Sequence, residues 1–326
     1  MLQNKVFAVG FCLTLFGSSR SGATPGLKNP TSYFDIRGSL PDNLRGSKVE
    51  IHEFRAGPDG LYFCISPSPN TRNSIILETG WSGNRQNVFV PPQDQEVSDF
   101  DVGEHGNLYV LMNGSRKSSL LLYAPDGRLQ STLPISHFAN GLSVTNGKPV
   151  VLLPDRSGTR LEVLDSSGPR DVSIALIRTS PKPAMTSLPD GRVVLADKAQ
   201  GNVYLVDITS GNTSSFRSTP TSPASGGESS SPMQAIHTLS LTSAASTPEG
   251  DIYLIAGSYR MAEGAPLSRF DSHGTLIEPF RCALPTFEDM KSPHNPEGYM
   301  LPTSIGVYGN SLFLVSPQGM IAAYSR

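Results

Sequence analysis

The stretch Leu120–Ile135, LLLYAPDGRLQSTLPI, starts apolar, turns on Pro-Asp-Gly and resumes with alternating residues. That is the pattern of a β-hairpin. Asp bonds its own backbone in such a turn, Gly accepts positive φ, and strand geometry sends successive side chains to opposite faces. The hairpin is one of a series. Just upstream, GEHGNLYVLM (103–112) is a glycine turn feeding a strand, and the same unit recurs as GPDGLYFCI (57–65), TNGKPVVLL (145–153) and LPDGRVVLA (188–196). TPEGDIYLI (247–255) and VYGNSLFLV (307–315) complete the set. The anchoring glycines Gly60, Gly106, Gly147, Gly191, Gly250 and Gly309 are spaced 46, 41, 44, 59 and 59 residues apart.

The second turn repeats as well. YAPDGRL (123–129) matches VLDSSGPR (163–170), LVDITSGNT (205–213) and RFDSHGTL (269–276), and a further strand precedes each first glycine, as in VSDFDV (97–102), GLSVT (141–145) and SIGVY (304–308). Six units of four short antiparallel strands are the signature of an all-β, six-bladed β-propeller. A two-domain β-sandwich, the rival architecture, has no reason to repeat two turns in one order six times. The sixth unit stops at Arg326 without a fourth strand, and SYFDIRGSL (32–40) is free to supply it by pairing with Met320–Tyr324. Closure of that kind removes edge strands that would otherwise template aggregation. The long spacings come from a Ser/Pro-rich segment, 215–234, expected to be a flexible insertion, and from two loops at 258–268 and 286–300.

Composition fits this architecture. Charged residues are 17%, whereas 31 Gly and 27 Pro serve many turns. A net charge of −2 leaves no basic footprint, so nucleic acid is not expected as a partner. Residues 1–23 read as an export signal, with Lys5 ahead of the apolar run 6–17 and small residues Ser21 and Ala23 at the cleavage point. The expected product is a single propeller domain, 24–326, exported to the periplasm or the cell exterior, soluble once the signal is removed, and monomeric. Of the 3 cysteines, Cys64 and Cys282 remain in that product, which is no disulfide framework.

Hydrolase elbows, phosphate loops and dinucleotide fingerprints are absent. In a propeller the inner strands line a central channel, and the loops leading into them share a face with those joining second and third strands. Inner-strand candidates are Glu50, His52, Asp99, Asn140, Lys182 and Thr303, and rim candidates are Arg116, Asp155, Arg156, Asp197, Arg260 and Gln318. Glu50 and His52, two apart on one strand, would form an acid–base pair, which with Asp99 marks His52 and Asp99 as catalytic candidates. Asp99 and Asp101 would share a face and must be solvated, paired or metal-bound. Arg116, Arg156, Lys182, Asp197 and Arg260 would hold a ligand; Glu50, Asn140 and Asp155 offer oxygen donors to a divalent cation such as Ca or Mg.

The repeats EHGNLYVL and LLLYAPDGRLQSTL resemble the NHL repeat and the wider group of six-bladed propellers that includes the gluconolactonase (regucalcin-like) lactonases. That resemblance implies a divalent metal on the axis, held by a Glu of the first inner strand, an Asn in an NGL stretch and a later Asp. Glu50 and Asn140 of NGLS match the first two, while the place of the Asp falls near Pro183, leaving Asp155 or Asp197 to supply the third ligand. The histidine pattern of streptogramin-lyase-like propellers is not seen. Two functions follow: a binding or scaffold module for a protein, glycan or small molecule, or a metal-dependent lactonase-like hydrolase or lyase at the channel mouth.

Overall fold

The computed structural model describes residues 27–67, 73–93, 95–115, 117–155, 158–165, 168–172, 182–197, 201–217, 237–259, 261–293 and 295–326. They form six antiparallel blades around one axis. Blade 1 consists of Val49–Ala56, Leu61–Pro67, Ile75–Thr79 and Arg85–Phe89, from the axis outward. Blade 2 is Glu96–Val102, Leu108–Asn113, Ser118–Tyr123 and Leu129–Ile135, so the opening hairpin is its outer half. Blades 3, 4 and 5 start at the inner strands Gly141–Thr145, Ala184–Ser187 and His237–Ser246, and blade 6 at Ser304–Tyr308.

Strand alternation builds the core. In LYFCISP of blade 1, Leu61, Phe63 and Ile65 pack toward blade 6, while Tyr62 and Cys64 pack toward blade 2. Both faces are covered, so the strand reads as an unbroken apolar run instead of an alternating one. Each of the six blade interfaces carries its own apolar cluster. Burying one such Leu or Phe contributes about 1.5–3 kcal/mol, so the ring is stabilised all the way round.

The N-terminal segment closes the ring as the sequence predicts. Ser32–Asp35 pairs antiparallel with Met320–Ser325, Ser32 opposite Ala323 and Asp35 opposite Met320. The strand is shorter than expected: the Asp35 carboxylate accepts the Arg37 amide at 2.8 Å and turns Ile36–Ser39 into a 3-10 helix. A second contact was not foreseen. Leu27–Lys28 adds in parallel to the outer strand Leu276–Cys282 of blade 5, so one segment ties two neighbouring blades.

Two loops also differ from the expected bounds. Ser215, Phe216 and Arg217, expected to begin the insertion, end the fourth strand of blade 4 (Thr213–Arg217), because Phe216 packs on Phe270 of blade 5 at 4.7 Å. Residues 218–234 of that segment lie outside the described residues. In blade 5 the expected loop 258–268 is shorter at both ends: Ser258 and Tyr259 end the strand Ile252–Tyr259 and Ala265–Ser268 belong to the next strand, the loop ending at Gly264, where a side chain would meet the Cys282 carbonyl.

Candidate functional site

The first two inner strands carry matching irregularities that aim charge at the axis. In blade 1 the ladder runs Ile51 opposite Ile65 and then Glu53 opposite Cys64, leaving His52 as the extra residue of a bulge. In blade 2 the register shifts in the same way between Val97 and Asp99. After each bulge the alternation restarts, so Phe54 and Phe100 enter the core while Glu53 and Arg55, or Asp99 and Asp101, share the opposite face. The 46-residue spacing of Gly60 and Gly106 maps Glu53 onto Asp99 and Arg55 onto Asp101.

These side chains meet in the channel. Arg55 donates from Nη2 to Asp99 Oδ1 at 2.9 Å, approaches Glu53 at 3.6 Å and lies 3.8 Å from Asp101. Lys182, on the approach to the inner strand of blade 4, reaches Glu53 of blade 1 at 2.7 Å and donates to the Ser98 carbonyl of blade 2 at 2.9 Å. Blades 1 and 4 are opposite one another in a ring of six, so the Lys182–Glu53 pair crosses the axis. Blade 3 completes the enclosure with backbone donors: the Leu142 amide to Asp99 Oδ2 at 2.9 Å and the Val144 amide to Asp101 Oδ2 at 2.7 Å.

Asp99 is only 4% exposed, and burial pushes its carboxyl up to about 6, against the pull of Arg55 and of the Leu142 amide. Asp101 is raised for the same reason and held back by Arg55 and the Val144 amide. Of the three states the sequence left open for the two aspartates, solvated, paired or metal-bound, the structure shows pairing, and the partner is Arg55. Sequence reasoning missed Arg55 and Glu53. Their two-residue spacing and blade equivalence to the aspartates were the available signal.

Toward the inner strands' C-terminal ends the channel opens. A chamber of about 130 Å³ holds Arg55 and Asp101 together with Thr186, Ser187 and Ser246. It leads into a mouth of about 430 Å³ to which all six blades contribute their first turn. Pro58, Pro189 and Pro248 stand at equivalent positions around its lip, beside Tyr308. Trp81 stacks on Tyr308 at 4.9 Å and 21° and remains 39% exposed.

The sequence candidates spread over both ends. Lys182 and Asp99 belong to the axial cluster. His52 sits in the bulge with its Nε2 against the Ser66 hydroxyl, and Glu50 is exposed opposite Ser66 in the ladder. The bulge breaks the simple alternation that made Glu50 and His52 a pair. Asn140, half-buried, donates its backbone N–H to the Leu152 carbonyl at 2.8 Å. Asp197 is buried in a tight turn, its backbone bonded to Asn202 and Gly201. Thr303 and Gln318 are exposed. Arg116, Arg156, Arg260 and the side chain of Asp155 lie outside the described residues.

Asp99 and Asp101 present carboxylate oxygens, but these already accept from Arg55 and from main-chain amides. Among the described residues no three His, Cys, Asp or Glu side chains converge as a metal site would require. The axial cluster therefore does not fit a divalent ion.

No protein-family model and no curated protein matches the chain. Solved structures do. A streptogramin B lyase is similar at 15% identity over 90% of this chain and 87% of that one, with a TM-score of 0.52. The virginiamycin B lyase of Staphylococcus aureus is similar at 10% identity over 90% and 98%, TM-score 0.53. The WD40 domain of Neurospora crassa Pan2 follows at 12% over 92% and 97%, TM-score 0.53. A lyase and a WD40 domain share this fold equally well, so the likeness establishes the propeller and leaves function to the site.

Proposed function

We propose that the protein is an exported binding module of the NHL-repeat and gluconolactonase-like group of propellers, with its ligand at the channel mouth formed by the first turns of the blades. The observation that carries this reading is the commitment of the channel carboxylates: Glu53 to Lys182, and Asp99 and Asp101 to Arg55 and blade 3 amides. Ion pairs across the axis leave a concave mouth above them, with polar groups converging on its base. Such a mouth suits binding, and no nucleophile–base pair stands among its described lining residues. The fold's use both in a lyase and in a WD40 domain is compatible with this role.

A metal-dependent hydrolase remains the competing reading because Asn140 of NGLS stands where an inner strand begins, with Glu50 on the first inner strand. Turnover of nitrophenyl esters and simple lactones, measured with and without Ca²⁺, Mg²⁺ or Mn²⁺, separates the two. A binding module gives no metal-stimulated rate above background. A stimulated rate that Asn140→Ala abolishes would establish the hydrolase.

A further inference from the structure

The chemistry of the mouth names a ligand class, an inference that rests on the binding reading. Its upper chamber has one charged lining residue, Glu104 at the lip, and the charges at its base, Arg55 and Asp101, face each other. An anion would surrender its hydration there without meeting an uncommitted counter-charge, and a cation would meet only Glu104 at the solvent-exposed lip.

The hydroxyls are arranged in one sense. Ser187 donates to the Val144 carbonyl at 2.7 Å, and Ser246 donates to the Ser187 carbonyl. Each hydroxyl has a single proton, so the 2.9 Å contact between Thr186 and Ser246 must be donated by Thr186. Ser187 thus keeps its acceptor capacity and Ser246 one acceptor position beside the Thr186 bond, both on residues that line the cavity, so the pair suits a ligand that donates. Above them Pro58, Pro189, Pro248 and Tyr308 present carbon to whatever enters, between the polar Glu104, Asn146 and Thr247, and Trp81 stacks on Tyr308. A ligand that fits has O–H donors at one end, carbon–hydrogen faces along its body and no net charge.

We infer that the mouth takes a neutral saccharide, seated with a carbon–hydrogen face on Tyr308 and its hydroxyls donating to Ser187 and Ser246. A proline-bearing peptide shares the apolar contacts but brings few donors to the hydroxyl base, and is the less suited occupant.

Trp81 is the only tryptophan in the chain and stacks on Tyr308, so its fluorescence reports on the Tyr308 side of the mouth. The full chain should be titrated with glucose, galactose, mannose, N-acetylglucosamine and their β-linked disaccharides, beside gluconate, lysine and a proline-rich peptide, with calorimetry in parallel. The expected result is a saturable change with at least one neutral sugar. It should weaken about tenfold in Tyr308→Ala and survive in Tyr308→Phe, which keeps the stacking surface. Ser187→Ala should weaken it several-fold. Saturable binding of the peptide, lysine or gluconate with silence from every sugar would overturn the saccharide assignment while leaving the mouth as a binding site. Silence from the whole panel by both methods would overturn the assignment and count against the binding reading as well. Sugar binding that Tyr308→Ala and Ser187→Ala leave intact would place the site elsewhere and overturn it too.

Discussion

Arg55 is the residue on which the channel depends. It is 19% exposed, contacts three carboxylates and stacks over Phe100 at 5.7 Å. Arg55→Met removes the cation and leaves Asp99 and Asp101 buried without it, a loss expected to cost about 3–5 kcal/mol in urea unfolding. A cost under ~1 kcal/mol would show that the aspartates are solvated. Asp99 supplies a second test. Its folded carboxyl is raised to about 6 from 3.8, so the folded chain keeps a proton that the unfolded chain has released. Its contribution to stability is therefore fully present below the ordinary carboxylate range and is lost as pH rises toward about 6. Carbon-detected NMR should give a midpoint near 6 for Asp99, and a midpoint near 4 would contradict the burial argument. The shared face of Asp99 and Asp101 was legible in their spacing. Arg55 was not, because its role depends on a bulge that periodicity does not announce.

At the scale of the element, the turns recognised in the sequence carry the fold. Gly250 has φ of +97° and Gly309 +55°, but Gly60 is required for another reason: a β-carbon there would lie 2.0 Å from the Thr79 carbonyl oxygen. Backbone cannot yield as a side chain can. Gly60→Ala should therefore lower the melting temperature more than Gly250→Ala, whose left-handed conformation costs about 1–2 kcal/mol. Gly309→Asn should be nearly neutral, since Asn tolerates this conformation and nothing lies within 4 Å. Equal losses at all three would mean that the turn glycines act only through chain entropy. These turns were readable because Asp-Gly and Pro-Asp-Gly have local chemistry. The bulges at His52 and Ser98 were not, since nothing in HEF or SDF differs from ordinary strand composition. Nor was the parallel addition of Leu27–Lys28, a two-residue pairing set by tertiary contact.

For the whole molecule, closure and channel chemistry are linked, because the axial cluster draws on blades 1, 2, 3 and 4 and needs the ring to be shut. A chain lacking residues 27–35 leaves Met320–Ser325 without its outer partner and uncovers the edge of blade 5. It should melt in a broader, lower transition and scatter light at concentrations where the full chain stays clear; an unchanged transition would mean that the latch contributes nothing. The ring number and the closing strand were visible in the repeats. The proposed binding end was not, because the sequence placed its candidates on the inner strands and on the loops joining second and third strands, whereas the mouth lies at the first turns, where Pro, Gly and Ser carry no obvious signature. The most direct test of a channel whose carboxylates are committed internally is calorimetric titration of the full chain with Ca²⁺, Mg²⁺, Mn²⁺ and Zn²⁺, beside Asn140→Ala. Committed carboxylates give no tight binding and no difference between the two proteins. Tight binding by the wild type that Asn140→Ala loses would put a metal on the axis and contradict the assignment.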